Sequence, residues 1–316
     1  MKNDPVESAL ARLDEIPLHT PAGKAAFAKA LAAKTNRVVA KAARIVGGAQ
    51  WIELNAEMAS AFDRLMAKGA SADKGCAAMI AIARALVQLD YDDPDLFLRG
   101  ARHVQMEASW GPAIDTAAEL REVSAMGLAN STYPNKLREL VPLLVDKEWR
   151  VRAGAIRAIA VIGTEAASLL LRFKMLSGDP DPEVTSECFG AILALEGSEG
   201  VPLVARFADS NKPEMREAAI LAMGASRRAD AVEWLIAQFS RTADPAGRKC
   251  ILLSLSTSRV EAAVLFLLDL IRHGSGPASA LAIDALSIHA RDEQLRTQVE
   301  DAARSRTADR GSAPAP

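Results

Sequence analysis

The second half of the sequence repeats one pattern of apolar and small residues. Blocks such as 148–163 and 182–197 align, and equivalent positions follow one another at steps of 33, 31, 32 and 32 residues. The aligned positions are Val151, Val184, Met215, Gly247 and Ser279. A second apolar stretch precedes each block, so each unit is predicted to be a helix, a turn and a second helix. A fixed step of roughly 20–50 residues is typical of stacked repeats.

The turns and the residue pattern indicate helices throughout. Asp181-Pro182 and Asp244-Pro245 place an N-cap residue before a proline at the first helical position, where the missing N–H costs nothing. No stretch shows the strict apolar and polar alternation of a half-buried strand. We therefore predict an all-α fold in which helical hairpins stack into an α-solenoid, a right-handed superhelix with a concave inner surface.

The first half follows the same pattern at wider spacing, and residues 35–48 align with the block at 148–163. The register over 50–135 stays open. An opening helix is expected at 5–14. The predicted domains are an N-terminal helix and cap over 1–20, a single solenoid of about eight helical pairs over 21–304 that is most regular over 135–290, and a disordered tail over 305–316.

The best-preserved unit carries the pattern D-x4-V-R-x2-A-x2-A between Asp146 and Ala158. This pattern resembles a HEAT repeat, although its step is shorter than the roughly 40–47 residues of standard HEAT units. It is similar to the short HEAT-like repeats found in phycobilisome lyases. The resemblance covers 135–290 well and 20–130 loosely, and it implies a HEAT-like or armadillo-like solenoid.

The resemblance also implies a structural role for some of the charged residues. In HEAT repeats, the Asp of the turn and the Arg that begins the second helix face neighbouring turns and form a ladder of hydrogen bonds. Asp146 and Arg152 match these positions, and Arg216 and Arg248 share the column of Arg152. Thr185 interrupts that column, so the predicted ladder is incomplete. Such a pair is expected mainly to set the stacking register, because burying it also costs desolvation.

Little in the sequence points to catalysis. No metal-binding spacing, phosphate-binding glycine loop or nucleophile elbow occurs. The four histidines are scattered at His19, His103, His273 and His289. The three cysteines lie too far apart for a CxxC arrangement, and Cys188 fits a small buried position. We expect no cofactor, no metal and no enzymatic activity.

The overall charge and the N-terminal sequence restrict location and partners. The net charge of −2 gives no general attraction to nucleic acids or acidic membranes. The first ten residues are polar, which argues against a secretory signal. The longest apolar run, 262–271, is interrupted by Asp269 and is shorter than the roughly 20 residues of a membrane span. A cytoplasmic location without a membrane partner is therefore expected.

Two groups of side chains are candidates for binding a partner. One group surrounds the start of a second helix, where a Trp stands beside Arg. The other lies in residues 22–50, which contain six basic residues and no Asp or Glu. The alternative interpretation of the second group is a solvated face that caps the first repeat. The candidates are Trp149, Arg150, Arg157, Arg37, Lys41 and Arg44.

These patterns favour a non-enzymatic scaffold or adaptor that binds a protein or peptide on the concave face of the solenoid. One alternative, implied by the resemblance, is a nucleic-acid-binding protein with a class of HEAT-like DNA glycosylases as its enzymatic extreme. Another is a bilin-lyase-like chaperone for a tetrapyrrole. The identity of the partner and the oligomeric state stay open at this point, because the HEAT architecture serves many functions.

Overall fold

The structure is a computed structural model that describes residues 5–311, with side chains over 5–306. Residues 1–4 and 312–316 lie outside the described part of the chain. The predicted all-α class is confirmed, because helices account for nearly all regular structure in the described residues. By compactness the chain divides into two units, one ending at Ala167 and the other beginning at Ser168. The single solenoid over 21–304 stays a prediction.

The first unit contains the N-terminal helix and the wider-spaced repeats. Its helices are α1 (Pro5–Asp14), α2 (Pro21–Leu31), α3 (Asn36–Gly48), α4 (Asn55–Lys68), α5 (Ala77–Gln88), α6 (Pro94–Arg102), α7 (Ala118–Asn130), α8 (Lys136–Leu140) and α9 (Trp149–Ile162). The strands β1 (Met106–Glu107) and β2 (Ile114–Asp115) lie between α6 and α7. Short 3-10 turns cover Ile52–Leu54, Gly69–Ser71, Lys74–Cys76 and Val141–Val145. The second helices α3, α5, α7 and α9 pack against one another in series.

The second unit contains the regular repeats. Its helices are α10 (Glu165–Ser177), which begins just before the unit boundary, α11 (Pro182–Glu196), α12 (Gly200–Ala205), α13 (Pro213–Ala225), α14 (Ala229–Arg241), α15 (Pro245–Ser258), α16 (Glu261–His273), α17 (Gly276–Ser287) and α18 (Glu293–Gly311). A 3-10 turn covers Gly197–Glu199. Here α11, α13, α15 and α17 pack in series. Over residues 5–311, the helices from α2 to α17 form eight successive pairs.

Small residues allow the second helices to pack closely. A Cβ atom on Gly47 of α3 would lie 2.9 Å from the Cβ of Ala85 on α5. A Cβ atom on Gly154 of α9 would lie 2.6 Å from the Cγ of Glu122 on α7. Such distances are shorter than ordinary carbon contacts of about 3.5–4 Å. The small residues that recur in the sequence therefore mark helix–helix contacts.

The helix starts follow the predicted capping chemistry. Asp181 accepts a hydrogen bond from the amide of Glu183 at 3.0 Å, and Asp244 accepts one from Gly247 at 2.8 Å. In α17 the cap is Ser275, whose hydroxyl accepts from the amide of Ala278 at 3.3 Å. A proline follows each cap within two residues, as predicted for Asp181 and Asp244.

A short hairpin interrupts the helical pattern between α6 and α7, where the sequence predicted no strand. Met106 pairs with Asp115, and Glu107 pairs with Ile114, in antiparallel register. Each strand has two residues, which is too short to produce a recognisable alternation. The Glu107 carboxylate accepts from the Gly75 amide at 2.6 Å, so a bond from the backbone of another turn holds this hairpin in place.

The tail predicted to be disordered over 305–316 overlaps the last helix, because α18 extends to Gly311, while 312–316 lie outside the described residues. α18 packs against α16, and its Ala302 is fully buried. Arg306 donates to the carbonyl oxygens of Ile271 and Gly274 at 3.2 and 2.7 Å, at the end of α16. One small buried residue and one capping arginine anchor a segment whose composition is otherwise polar.

One helical stretch, Pro182–Ala205, is long and apolar enough by composition to cross a membrane. Half of its most apolar window is buried inside the protein. Core helices of folded domains pass the same test, so this stretch is weak support for a membrane span. The predicted absence of a membrane partner stays a prediction.

Candidate interaction site

A buried arginine joins two consecutive turns of the first unit. Arg121 of α7 is 3% exposed, and it donates from Nε and Nη2 to the two carboxylate oxygens of Asp146, at 3.0 Å each. Its Nη1 donates to Asp115 at 2.7 Å and to the carbonyl oxygen of His103 at 2.9 Å. One guanidinium therefore connects the turn before α7 with the turn before α9. Bidentate, charge-assisted bonds of this kind are geometrically specific.

The pKa values in this network follow from its geometry. Burial lowers the pKa of Arg121, but the bonds to Asp146 and Asp115 outweigh it and leave that pKa raised. Burial also raises the pKa of Asp115, while the amide of Ala117 and the guanidinium of Arg121 outweigh it and hold that pKa below its ordinary value. Both groups are therefore charged at neutral pH.

The ladder residues named from the sequence occupy several different environments. Arg152 donates from Nη1 to the carbonyl oxygens of Asp146 and Lys147 at 2.9 and 3.1 Å. Arg216 donates likewise to the carbonyl oxygen of Ser210 at 2.9 Å. These two arginines hold the backbone of the turn that precedes their own helix.

Arg248 departs from the predicted ladder. Its guanidinium lies over the ring of Phe239, 4.5 Å from the centroid. Its turn carries Thr242 at the position that Asp146 occupies, so the carboxylate partner is missing. Cation–π contact with Phe239 replaces the expected ion pair.

Sequence reasoning missed Arg121 and Asp115. Their spacing is the same as the spacing of Asp146 and Arg152, so a signal was present. It was obscured because Asp115 ends the hairpin inserted before α7, where the repeat register was open.

The predicted cluster at the start of α9 is only partly available to a partner. Trp149 is 37% exposed, and the Arg150 guanidinium lies over its ring at 5.0 Å from the centroid. Arg157 donates to the Glu122 carboxylate at 2.7 Å, across the contact between α7 and α9. Trp149 and Arg150 therefore form an exposed cation–π pair, whereas Arg157 is paired within the unit.

The basic group in residues 22–50 is partly neutralised by α1. Arg37 pairs with Glu7 at 2.7 Å, and Lys41 pairs with Asp14 at 2.6 Å. Arg44 is exposed and has no ion pair among residues 5–306. The sequence could not show this pairing, because the acidic partners lie about 30 residues earlier, outside the acid-free segment.

Within the described residues, α10 carries an exposed apolar face that sequence reasoning did not identify. One face of this helix packs into its surroundings through Ala167, Leu171 and Met175, which are all buried. The opposite face carries three large apolar side chains that are mostly exposed. They are Leu169 at 59%, Phe173 at 72% and Leu176 at 67%. We call these three residues the α10 stripe.

The two basic side chains of α10 are paired with acidic residues of the same unit. Arg172 pairs with Glu196 of α11, and Lys174 donates to Asp179 at 2.7 Å. Burial raises the pKa of Glu196, but the bonds from Arg172 and Ser168 outweigh it and hold that pKa below its ordinary value. These pairs engage both cations of α10, while the exposed Glu165 stands one turn before Leu169 at the start of the helix.

The thiols show no sign of activation, and the described residues hold no group of three or more His, Cys, Asp or Glu that could bind a metal ion. Burial raises the pKa of Cys76 and of Cys188 to about 12. Burial likewise raises the pKa of Cys250 to about 11. A nucleophilic cysteine needs the opposite shift.

Native thiol alkylation should therefore be slow. Near neutral pH, iodoacetamide is expected to modify Cys250 first, and Cys76 and Cys188 on the order of a thousandfold more slowly than an ordinary cysteine of pKa about 8.5. Peptide mass spectrometry of timed samples, with the urea-unfolded protein as the reference, measures this order. Rapid native labelling of Cys76 or Cys188 would contradict the burial described above.

Comparison with known proteins supports the repeat assignment. The family model of HEAT repeats matches residues 110–192 and 200–303, which is more than half of the chain. No curated protein matches the sequence significantly.

Among solved structures, the complex of CpcE and CpcF of phycocyanin lyase from Nostoc sp. PCC7120 is similar, with 16% identity over 77% of this chain and 94% of that chain and a TM-score of 0.38. Human deoxyhypusine hydroxylase in complex with glycerol has 16% identity, coverage of 81% and 91%, and a TM-score of 0.31. An engineered protein has 16% identity, coverage of 98% and 92%, and a TM-score of 0.33. Likenesses at this level carry no argument about function.

The match to the family model, which covers more than half of the chain, is sufficient to assign the family: the chain belongs to the HEAT-repeat family.

Proposed function

We propose that this protein is a non-enzymatic HEAT-repeat scaffold that binds a protein partner through the α10 stripe. The observation that carries the proposal is the exposure of Leu169, Phe173 and Leu176 on one helix face. Contiguous exposed apolar side chains of this kind mark interaction sites in proteins that are otherwise well packed. A single exposed Leu would not support the same conclusion.

The spacing of the stripe indicates what it would contact. Residues 169, 173 and 176 stand at positions i, i+4 and i+7 of α10, which form one continuous line along a helix. Partners that present an amphipathic helix use the same spacing of apolar anchors. Because α10 has its cations paired elsewhere, the complementary surface should be apolar and uncharged at its centre.

The exposed pair of Trp149 and Arg150 on α9 is an independent candidate for contact with a partner. Trp and Arg are the residue types most enriched among residues that dominate binding energy. Of the partner-binding residues that the sequence predicted on α9, Trp149 and Arg150 therefore stay candidates. Its role stays a prediction, as do the cytoplasmic location and the absence of a cofactor.

The first test replaces Phe173 with Glu. Placing a charge at the centre of the α10 stripe is expected to weaken partner binding at least tenfold, because loss of a central anchor typically costs about 2 kcal/mol or more. Native pull-down followed by quantitative mass spectrometry identifies a partner, and titration of that purified partner measures the change in affinity. Folding should be unaffected, since Phe173 is mostly exposed.

Leu265→Glu is the matched control. Leu265 lies on α16 and is 56% exposed, so this substitution introduces the same charge at a comparably exposed apolar site. It should leave partner binding unchanged. Recovery of no partner by the unaltered protein, or equal recovery by Phe173→Glu, would count against the proposal.

Nucleic-acid binding is the alternative that the structure weakens. Arg37 and Lys41 are engaged by α1, which leaves less free positive charge than the sequence suggested. Lys24, Lys29 and Lys34 remain exposed. Salt-sensitive binding to duplex DNA that is lost in Arg44→Glu would favour this alternative. Bilin binding is distinguished by the absorbance of the added tetrapyrrole, and no observed group of residues favours it.

A further inference from the structure

The second unit contains a cavity of about 350 Å3 in the region of the turn before α11. It lies where Thr185 interrupts the column of arginines at the start of the second helices. Asp179, Pro180 and Thr185 line one part of it. Lys212, Glu214 and Met215 are also among its lining residues.

An equivalent position in the preceding repeat is occupied by an arginine side chain. Asp146, Lys147 and Arg152 stand 33 residues before Asp179, Pro180 and Thr185, respectively. In that repeat, the Arg152 guanidinium donates to the carbonyl oxygens of Asp146 and Lys147 at 2.9 and 3.1 Å. The equivalents of both acceptor residues line the cavity, while the equivalent of the arginine is a short threonine.

The chemistry of the lining favours a guanidinium over other groups. The Thr185 hydroxyl is directed to the Asp181 carbonyl oxygen at 3.5 Å. A planar guanidinium has five donors and can reach two carbonyl oxygens at once, whereas an ammonium is a compact point charge. Met215 offers apolar surface for the methylene stem. The lining side chains include two acids, Asp179 and Glu214, and one cation, Lys212, so their charges do not favour a phosphate or a carboxylate.

We propose that this cavity binds the side chain of an arginine presented by a protein partner. The partner's guanidinium takes the position that is equivalent to that of the Arg152 guanidinium in the preceding repeat. The carbonyl oxygens of residues 179 and 180 accept its hydrogen bonds. This inference rests on the proposed function in one respect, namely that the partner is a protein. It concerns a different surface from the α10 stripe, so each can fail without the other.

The test uses N-acetyl-L-argininamide as the probe and N-acetyl-L-citrullinamide as its uncharged isostere. Titration followed by amide chemical shifts is expected to show saturable changes at Thr185 and Met215. The citrulline probe should bind about tenfold or more weakly, because its uncharged urea group forms weaker hydrogen bonds than a guanidinium. Absence of saturable shifts at these residues, or equal binding of both probes, would overturn the proposal.

Thr185→Arg provides the second measurement. The introduced side chain should fill the cavity from within, abolish probe binding and raise the midpoint of thermal unfolding by about 2–4 °C. Because this variant can fail to fold, Glu214→Lys is tested as well, and it should weaken the arginine probe by reversing the charge beside the cavity. Glu217→Lys, on the same helix but outside the lining, should leave the probe unaffected.

Phe173→Glu separates the two proposals. It should leave binding of the arginine probe unchanged, since Phe173 is not among the cavity residues. If the arginine probe binds but no partner is recovered, the result supports an arginine site in the cavity and counts against partner binding through the α10 stripe. A partner lost in Phe173→Glu but bound equally by Thr185→Arg would support the scaffold and count against the cavity.

Discussion

Arg121→Met is expected to lower the free energy of unfolding by about 3–5 kcal/mol, because it leaves two partly buried carboxylates without their cation. The side chains of Asp115 and Asp146 are 10% and 15% exposed, so water replaces the lost guanidinium only in part. The methionine fills a similar volume, which separates the loss of charge from the creation of a cavity. Denaturant unfolding followed by circular dichroism measures the change.

Arg84→Met is the control for this prediction. Arg84 pairs with Glu119 at 2.8 Å, but its side chain is 63% exposed. Exposed ion pairs contribute about 0–1 kcal/mol, so the control should be nearly neutral. Equal effects of the two substitutions would show that Arg121 does not bind buried acids.

The lowered pKa of Asp115 also predicts how the destabilisation by Arg121→Met depends on pH. Because the pKa of folded Asp115 is held below its ordinary value, its stabilising contribution is present above the unfolded pKa and is lost as pH falls through the folded pKa. The variant lacks the guanidinium that helps to lower this pKa. The stability difference between the unaltered protein and the variant should therefore shrink as the pH falls through the carboxylate range.

Gly224→Val is expected to destabilise the second unit by about 3 kcal/mol or more, near the upper end of typical overpacking costs. A Cβ atom at this position would lie 2.2 Å from the carbonyl oxygen of Ser254 and 2.3 Å from its hydroxyl oxygen. The Ser254 hydroxyl is bonded to the carbonyl oxygen of Ile220, so it cannot turn away freely. Helices α13 and α15 would have to separate. Thermal unfolding measures the loss.

Gly190→Ala is the matched control within a neighbouring helix. Gly190 is exposed in the middle of α11, and a Cβ atom there would have no neighbour within 4 Å. Alanine should stabilise the helix by about 0.5–1 kcal/mol, because glycine loses more backbone entropy on folding. Tolerance of Gly224→Val would mean that α13 and α15 do not pack at this distance.

Much of the helical organisation followed from local chemistry. The opening helix predicted at 5–14 is α1, and the predicted block at 148–163 contains α9 within one residue at each end. Caps, prolines and small residues at regular steps are local signals, so they can be recognised in the sequence without knowledge of the fold. The register between 50 and 135 was open because a hairpin and several 3-10 turns lengthen those repeats.

The candidate sites were harder to predict. Arg37 and Lys41 formed a basic group in the sequence, yet α1 supplies acidic partners from earlier in the chain. In the sequence, the stretch that contains the α10 stripe is one of the apolar stretches that precede the blocks, and Leu169 and Phe173 are as apolar as the buried Leu171. Exposure depends on how many neighbours a helix has, and an apolar stretch alone does not state that number.

The sequence by itself determined the repeat, its step, the helical class and the positions where helices meet closely, because each depends on short-range spacing. Only the tertiary structure decided that Arg121 carries the connection between turns, that α10 leaves an apolar face uncovered, and that Thr185 stands beside a cavity. Ion pairs, exposure and empty volume depend on residues distant in the chain that packing brings together. No local pattern contains that information.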